Sequence, residues 1–481
     1  MAAAEAGQIA KAVPLLEEAV ARGPEAEHLA QLAKLLILQR RDGEAASAAE
    51  KALALGPNDP LTLDTAGCVL ARLGRHEETI SPFAAAVAAE PENLDYRYNL
   101  AAASGFTGRV NEARAQYEEI LTREPGNART HYALSILSRQ TPETNHVPRL
   151  QAALAAAEGA DDKLRLRYAL AKELEDIGQP AEAYRHLSAA NATQKQRIGY
   201  EFAQDASMFD AIEALFGTSA NFGGAGPGHA DASTIFVVGM PRTGTTLVDR
   251  ILTSHRDVES AGELQAMPLT MKRLSGTSSR TIIDPATIMA SGNIDPAVIG
   301  EAYLAQAAHH RSARAPRFTD KLPANFLYLG HIARALPNAP IVCLRRNPMD
   351  TVWSNYKNLF ASRSAYYAYS YDLMDTAHYY VRFDRLMRYW ERLFPSRILQ
   401  LSYEKLVRDQ EGQTRRLLEH CGLEWDEACL SFHENDAAVA TPSAAQVRRP
   451  LNSDAIGKWH LYKKPLRPVA AWLQAQGITT G

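Results

Sequence analysis

Proline recurs at positions 24, 57, 91 and 125, in steps of 33, 34 and 34 residues. A period of that length leaves room for two helices and two turns, so the first part of the chain reads as a stack of helix pairs. Inside one unit, Leu63, Ala66, Gly67, Leu70, Gly74, Thr79, Phe83 and Ala86 occupy the slots ahead of Pro91. The next unit repeats the pattern with Leu100, Ala101, Gly108, Ala113 and Tyr117 ahead of Pro125. Small residues at these slots let paired helices approach closely. One pair cannot bury its apolar face alone, so stacking on neighbours is what stabilises the array. Residues 1–23 read as the second helix of a truncated unit, residues 138–150 break the period, and a last pair is expected at about 164–197, with Leu170, Ala171, Gly178 and Ala183 in register. Four to five units are expected over residues 1–200.

These slots at this period resemble tetratricopeptide repeats, which implies an all-α solenoid with a groove for a peptide or a partner protein. A structural or dimerising module is the alternative. Residues 201–232 read as a connecting helix and a linker, the stretch 217–232 being rich in glycine and without helical period. A second domain is expected over 233–481. A chain of 481 residues is too long for one core, which fits this division. The net charge of −3 gives no case for nucleic acid or an anionic membrane. No apolar run is long enough to span a bilayer, and the N-terminus has neither the basic start nor the apolar core of a signal peptide. The four cysteines, Cys68, Cys343, Cys421 and Cys429, show no metal spacing, which suits free thiols in a reducing, cytoplasmic setting.

The second domain opens on an apolar strand, Thr234–Val238, that runs into Gly239, Met240, Pro241, Arg242, Thr243, Gly244, Thr245 and Thr246. A turn of this kind aims backbone N–H groups and a helix N-terminus at one point, where a phosphate can sit. The spacing Gly239-x4-Gly244 is that of a nucleotide-hydrolysing phosphate loop, but Thr245 stands where such enzymes carry the Lys that reaches the terminal phosphates. That substitution, with no acidic residue after an apolar strand to hold a magnesium ion, counts against an ATPase, a GTPase or a P-loop kinase. Further strands are expected at 340–344 and 397–401, alternating with helices, so the domain reads as a parallel α/β sheet. Ligands of such sheets bind at the carboxyl ends of the strands. Beyond the second of these strands stands Arg346, with Ser354 eight residues on, a candidate for a second phosphate separate from the first.

Pro241–Thr246 together with Arg346 and Ser354 resemble the donor site of sulfotransferases that use 3′-phosphoadenosine 5′-phosphosulfate. In that family the loop holds the 5′ side, and the Arg and Ser hold the 3′-phosphate. Further stretches are similar to the tyrosylprotein sulfotransferases, over about 234–460. Ala261, Gly262 and Glu263 resemble the segment with the catalytic Glu, and Thr319, Asp320 and Lys321 the segment with the catalytic Lys. Tyr403 corresponds to a donor contact. Ser443 to Asn452, including Gln446, Val447, Arg448 and Arg449, resembles the C-terminal donor loop, and Lys458 falls at a donor-binding Lys.

The resemblance implies Glu263 as general base, Lys321 as the cation at the leaving oxygen, and Ser443 as a hydrogen-bond donor there. It implies Arg242, Thr243, Gly244, Thr245, Thr246, Arg346, Ser354, Tyr403, Gln446, Val447, Arg448, Arg449, Asn452 and Lys458 as the donor site. It implies no metal. The sequence departs from the animal enzymes at Ala261 and Asp320, where they carry a pair of cysteines, and near Lys357 and Asn358, where they carry an Arg. The expected reaction is sulfuryl transfer to a hydroxyl, on a protein tyrosine recruited by the repeats. A small-molecule, lipid or saccharide acceptor and a non-catalytic repeat adaptor are the alternatives. His255 is read as a helix cap or surface residue, and the six tyrosines from Tyr366 to Tyr380 as a mobile, packed helical lid, with the lining of an acceptor cleft as the alternative.

Overall fold

The computed structural model describes residues 8–217, 227–312, 314–360, 366–435, 437–439 and 444–480. It divides into two compact units, residues 1–177 with 436–445 and residues 178–435 with 446–481.

The first unit is helical. Its helices run Ile9–Arg22, Ala26–Leu38, Asp42–Ala54, Pro60–Arg72, Ile80–Ala89, Leu94–Phe106, Val110–Arg123, Ala128–Leu137, Val147–Ala156 and Ala160–Asp176. The recurring prolines all fall in the links between helices, where a missing N–H costs nothing. In three units the residue two places on is the N-cap of the next helix. Asp59 accepts from Thr62 N–H, Asn93 from Asp95 and Tyr96 N–H, and Asn127 from Thr130 N–H. The link inside each pair is periodic too, because Arg40, Gly74 and Gly108 all adopt positive φ (58°, 82° and 86°). Close approach at the small slots is real: a Cβ on Gly67 would lie 2.6 Å from the Phe83 ring. Ala30, Ala33, Ala45, Ala49 and Ala66 are fully buried in one core, and Ala101 and Ala113 in the next.

The break in period around 138–146 is held by polar groups on the helix Ala160–Asp176. Buried Glu173 accepts from His146 backbone N–H at 2.6 Å and lies 2.9 Å from its Nδ1, and Asp176 accepts from Gln140 N–H at 2.8 Å. The helix Pro180–Ile198, which the 34-residue period groups with the repeats, belongs by its contacts to the second unit. There Asn191 donates to the Tyr356 carbonyl at 3.0 Å, and Lys195 pairs with Asp375 at 2.5 Å.

The second unit is built on five parallel strands: β1 Thr234–Gly239, β2 Val258–Ser260, β3 Arg317–Asp320, β4 Ile341–Arg345 and β5 Ile398–Ser402. Their order is β2-β3-β1-β4-β5. The chain moves from central β1 out to β2 and β3 on one side, then crosses to β4 and β5 on the other. That reversal opens a crevice at the carboxyl end of β1. β1 is buried along its whole length, as its uninterrupted apolar run requires of a central parallel strand. β2 and β3 are only three and four residues long and carry charged residues, so they lie outside the apolar-run pattern by which the other three are recognised.

Candidate active site

Each of the five strands delivers one group of candidate residues at its carboxyl end. After β1 the chain turns through the loop to the helix Thr245–Thr253. The turn needs unusual backbone angles, with φ of 148° at Gly239, 66° at Arg242 and 106° at Gly244. It also needs room: a Cβ on Gly239 would lie 2.8 Å from the Leu344 carbonyl oxygen, and one on Gly244 would lie 2.7 Å from the Tyr403 ring. Thr243 hydroxyl donates to the Met240 carbonyl at 2.7 Å and closes the turn. Thr245 and Thr246 are buried at the helix N-terminus, where the first N–H groups have no partner in the helix and favour an anion.

After β4, Asn347 and Pro348 start the helix Pro348–Tyr356. Asn347 accepts from Met349 and Asp350 N–H, and Pro348 stands where a helix needs no donor. Arg346, just before this helix, reaches back to the loop. Its Nη1 donates to the Arg242 carbonyl at 2.8 Å and to Ser354 Oγ at 3.3 Å, and its Nη2 donates to the Ala455 carbonyl. Its guanidinium carbon lies 5.1 Å from the centre of the Tyr403 ring, and its buried Nε has no partner. An unpaired guanidinium donor beside a serine hydroxyl is suited to an anionic oxygen. Tyr403, at the end of β5, sits between Gly244 and Arg346, and burial pushes its phenol up.

The helix Pro348–Tyr356 also holds the C-terminal segment. Buried Asp350 accepts from Gly457 N–H at 2.7 Å and from Trp459 N–H at 3.2 Å, the two residues flanking Lys458. Buried Asn355 donates to the Pro241 carbonyl at 2.9 Å and so ties the helix to the loop after β1. The sequence reading missed Asp350 and Asn355. Its available signal was that both lie within one helix of Arg346, on turns shared with Ser354. Of the remaining residues in the expected C-terminal loop, Gln446 is exposed and Val447 buried. Among the described residues Asn452 bonds within its own turn, donating to Pro450 O at 3.1 Å and accepting from Asp454 N–H, and Arg449 pairs with Asp454 at 3.8 Å. Ser443 lies outside the described residues.

On the other side of β1, β2 and β3 pair in the register Ser260↔Thr319. The pairing continues past both strand ends, with Ala261 N–H on the Thr319 carbonyl at 3.0 Å and Lys321 N–H on the Gly262 carbonyl at 2.9 Å. It brings Lys321 and Glu263 into an ion pair between Nζ and Oε1. Lys321 is nearly closed off, its side chain 4% exposed, while Glu263 keeps 42% of its side chain open. A buried cation beside an accessible carboxylate can hold an anionic oxygen and take a proton at one reaction centre. The Tyr367 phenol is pushed up, by burial first and by the Glu263 charge second.

Asp320, between these elements, is fully buried and receives hydrogen bonds from Tyr303 Oη at 3.0 Å and Asn325 Nδ2 at 3.2 Å. Burial pushes its carboxyl up to about 8, with the Glu263 charge adding to the effect. His255, expected at a cap or on the surface, is buried. Its Nδ1 accepts from Asp257 N–H at 3.0 Å, so its Nε2 donates to the Glu424 carbonyl at 3.0 Å and closes the turn into β2. Among the described residues no helix is long and apolar enough to cross a membrane, and no group of three His, Cys, Asp or Glu could hold a metal ion.

Residues 234–427 match the Sulfotransferase family model. An uncharacterized protein of Aquifex aeolicus is 34% identical over 314 residues, covering 64% of this chain and 41% of the relative. Protein-tyrosine sulfotransferase 1 of Danio rerio is 27% identical over 245 residues, covering 48% of this chain and 66% of the relative. The chain therefore spans less than half the length of the Aquifex protein. The sulfotransferase domain of the Synechococcus PCC 7002 olefin synthase is 22% identical, covering 49% of this chain and 90% of that structure, with a TM-score of 0.35. The stretch that matches the sulfotransferase family model lies within the second unit, and the first unit is a helical region that fits a repeat solenoid.

Proposed function

We propose that this chain transfers a sulfuryl group from 3′-phosphoadenosine 5′-phosphosulfate to an acceptor hydroxyl, and that the acceptor is a protein tyrosine recruited by the helical repeats. The observation that carries the reading is the contact between two anion-holding elements. Arg346 stands beside Ser354 and bonds the carbonyl of Arg242 in the loop. One ligand with two separated anionic groups is the chemistry that this arrangement suits, and an ordinary nucleotide triphosphate would not use the second.

On this reading the N–H groups and hydroxyls of Thr243, Gly244, Thr245 and Thr246, with Arg242, hold the 5′-phosphate. Arg346 and Ser354 hold the 3′-phosphate. Tyr403 packs against the donor, and Lys458 with Gln446, Val447, Arg448, Arg449 and Asn452 covers it from the C-terminal segment. Glu263 takes the proton of the acceptor hydroxyl, which for a phenol near pKa ~10 must leave as the new bond forms. Lys321 stabilises charge on the bridging oxygen as the donor's bond to sulfur breaks, and Ser443 donates a hydrogen bond to the same oxygen. No metal is required, because a sulfuryl group carries less charge than a phosphoryl group. The free cysteines suit a cytoplasmic setting.

The test is incubation with radiolabelled donor, against tyrosine-containing proteins and against phenolic small molecules. Label on protein is expected, and label confined to small molecules overturns the protein acceptor. Glu263→Ala should abolish transfer while donor binding stays within about threefold. Arg346→Ala should weaken binding of adenosine 3′,5′-bisphosphate by 10-fold or more, the order expected for a charge-assisted contact, and leave adenosine 5′-phosphate nearly unaffected. Equal losses on both would refute the role given to Arg346.

A further inference from the structure

The helix that opens at the phosphate loop carries a buried carboxylate for which the proposed chemistry has no use. Asp249 lies one turn beyond Thr245 and is 8% exposed. It accepts from Thr319 Oγ1 at 2.5 Å, and Ser260 Oγ lies 3.4 Å from each of its oxygens. These two hydroxyl residues are register partners across β2 and β3. Glu263 follows Ser260 by three residues, and Lys321 follows Thr319 by two. Ser260 Oγ also accepts from Gly262 N–H at 3.2 Å, so the carboxylate, the hydroxyl and the turn that presents Glu263 form one chain of hydrogen bonds.

A carboxylate is costly to bury. Helices of parallel sheets ordinarily present apolar residues at such a place, and a well-packed apolar side chain would serve stability at least as well. Burial pushes the Asp249 carboxyl up, and the leading group that opposes the shift is Lys321, ahead of the hydrogen bond from Thr319. Asp249 is therefore tied through the Thr319 hydroxyl to the strand end that leads to Lys321 and through the Ser260 hydroxyl to the turn that presents Glu263, and the Lys321 charge acts on it. These ties run from the helix whose N-terminus forms the phosphate loop.

We propose that Asp249 is a positioning residue for the transfer step, bridging the ends of β2 and β3 to the loop helix so that Glu263 and Lys321 stand at a fixed place relative to the donor. The inference rests on the reading of the site as a sulfotransferase centre. It assigns Asp249 no contact with donor or acceptor. Its loss should lower kcat and spare donor binding, because the loop, Arg346 and Ser354 do not depend on the bridge.

The test uses the full chain with Asp249→Ala, Asp249→Asn and Thr319→Val. Three quantities are read: kcat with labelled donor, the Kd of adenosine 3′,5′-bisphosphate by calorimetry, and amide hydrogen exchange over residues 258–264 and 317–322. Asp249→Ala is expected to lower kcat about 10- to 100-fold, as a displacement of about 1 Å at a reaction centre does, with Kd changed less than about threefold. Asp249→Asn should recover much of the loss, since its amide oxygen can still accept from Thr319 and the Ser260 hydroxyl can turn to accept from its NH2. Thr319→Val, which keeps the side-chain shape, should lower kcat to a smaller extent, and adding it to Asp249→Ala should cost nothing more.

Unchanged kcat, additive losses, or a rise in Kd that matches the loss in kcat would overturn the bridge. If Asp249→Ala does not fold, Thr319→Val and Asp249→Asn decide the matter by the same criteria. If the unaltered chain transfers nothing to any acceptor, the sulfotransferase reading fails first. Hydrogen exchange then judges the bridge alone: faster exchange of both segments together supports it, and exchange unchanged in both refutes it.

Discussion

Replacing Asp320 with Asn is expected to flatten the pH dependence of the second unit's stability between pH 5 and 7.5. The carboxyl is fully buried, and burial carries it from 3.8 to about 8, with the Glu263 charge adding to the shift and hydrogen bonds from Tyr303, Asn325 and Leu264 N–H opposing it. Across that window the native carboxyl keeps a proton that the unfolded chain has released. The unfolded state therefore binds fewer protons, and stability falls as pH rises, until it levels off above about 8. Each pH unit inside the window corresponds to about 1.4 kcal/mol, so the interval from about pH 5 to 7.5 corresponds to about 3 kcal/mol from this one group. Asparagine has the same shape, does not titrate, and offers an oxygen to Tyr303 and Asn325.

Urea unfolding followed by tryptophan fluorescence reads the relevant unit, because Trp353, Trp390, Trp425, Trp459 and Trp472 all lie in it. Asp205, pushed up to about 6 by burial, titrates in the same window, but it does so in both proteins and cancels in the difference. Parallel pH profiles for the two proteins, or a variant that is less stable at pH 7.5, would refute the argument that Asp320 is held neutral by its burial.

Two further outcomes follow from close approaches. Gly244→Ala places a Cβ 2.7 Å from the Tyr403 ring at a φ of 106°, so the loop must shift; the strain, about 1–3 kcal/mol, should appear as a loss of about 5- to 150-fold in affinity for adenosine 3′,5′-bisphosphate by calorimetry, and unchanged affinity would remove the loop from the donor site. Gly67→Ala places a Cβ 2.6 Å from the Phe83 ring; it should destabilise the repeats by about 1–3 kcal/mol in thermal unfolding followed by circular dichroism, and Phe83→Leu in the same chain should recover part of that.

The features legible in the sequence are those whose parts lie close together along the chain. The repeat period records helix pairs that contact their immediate neighbours, so the spacing of prolines, caps and small residues carries the whole pattern. The loop after β1 is one strand, one turn and one helix start. Arg346 and Ser354 share one turn-and-helix segment. The pairing of Glu263 with Lys321 has no such local record. It depends on β2 and β3, short strands without an apolar run, meeting in parallel register across a gap of more than fifty residues; their candidate roles could be named only through a family resemblance.

The buried carboxylates Asp249, Asp320 and Asp350 were invisible for a related reason. An acidic residue on a predicted helix or strand ordinarily faces water, and only the tertiary fold shows which ones are enclosed and what donates to them. The same holds for the helix Pro180–Ile198, whose sequence continues the repeat period while its contacts lie with the sheet unit. Local pattern determined which elements form and which turn leads from β1 into a helix N-terminus. The tertiary structure decided which strand ends meet and which charges lose their water, because strand register and desolvation are set by residues far apart in the chain.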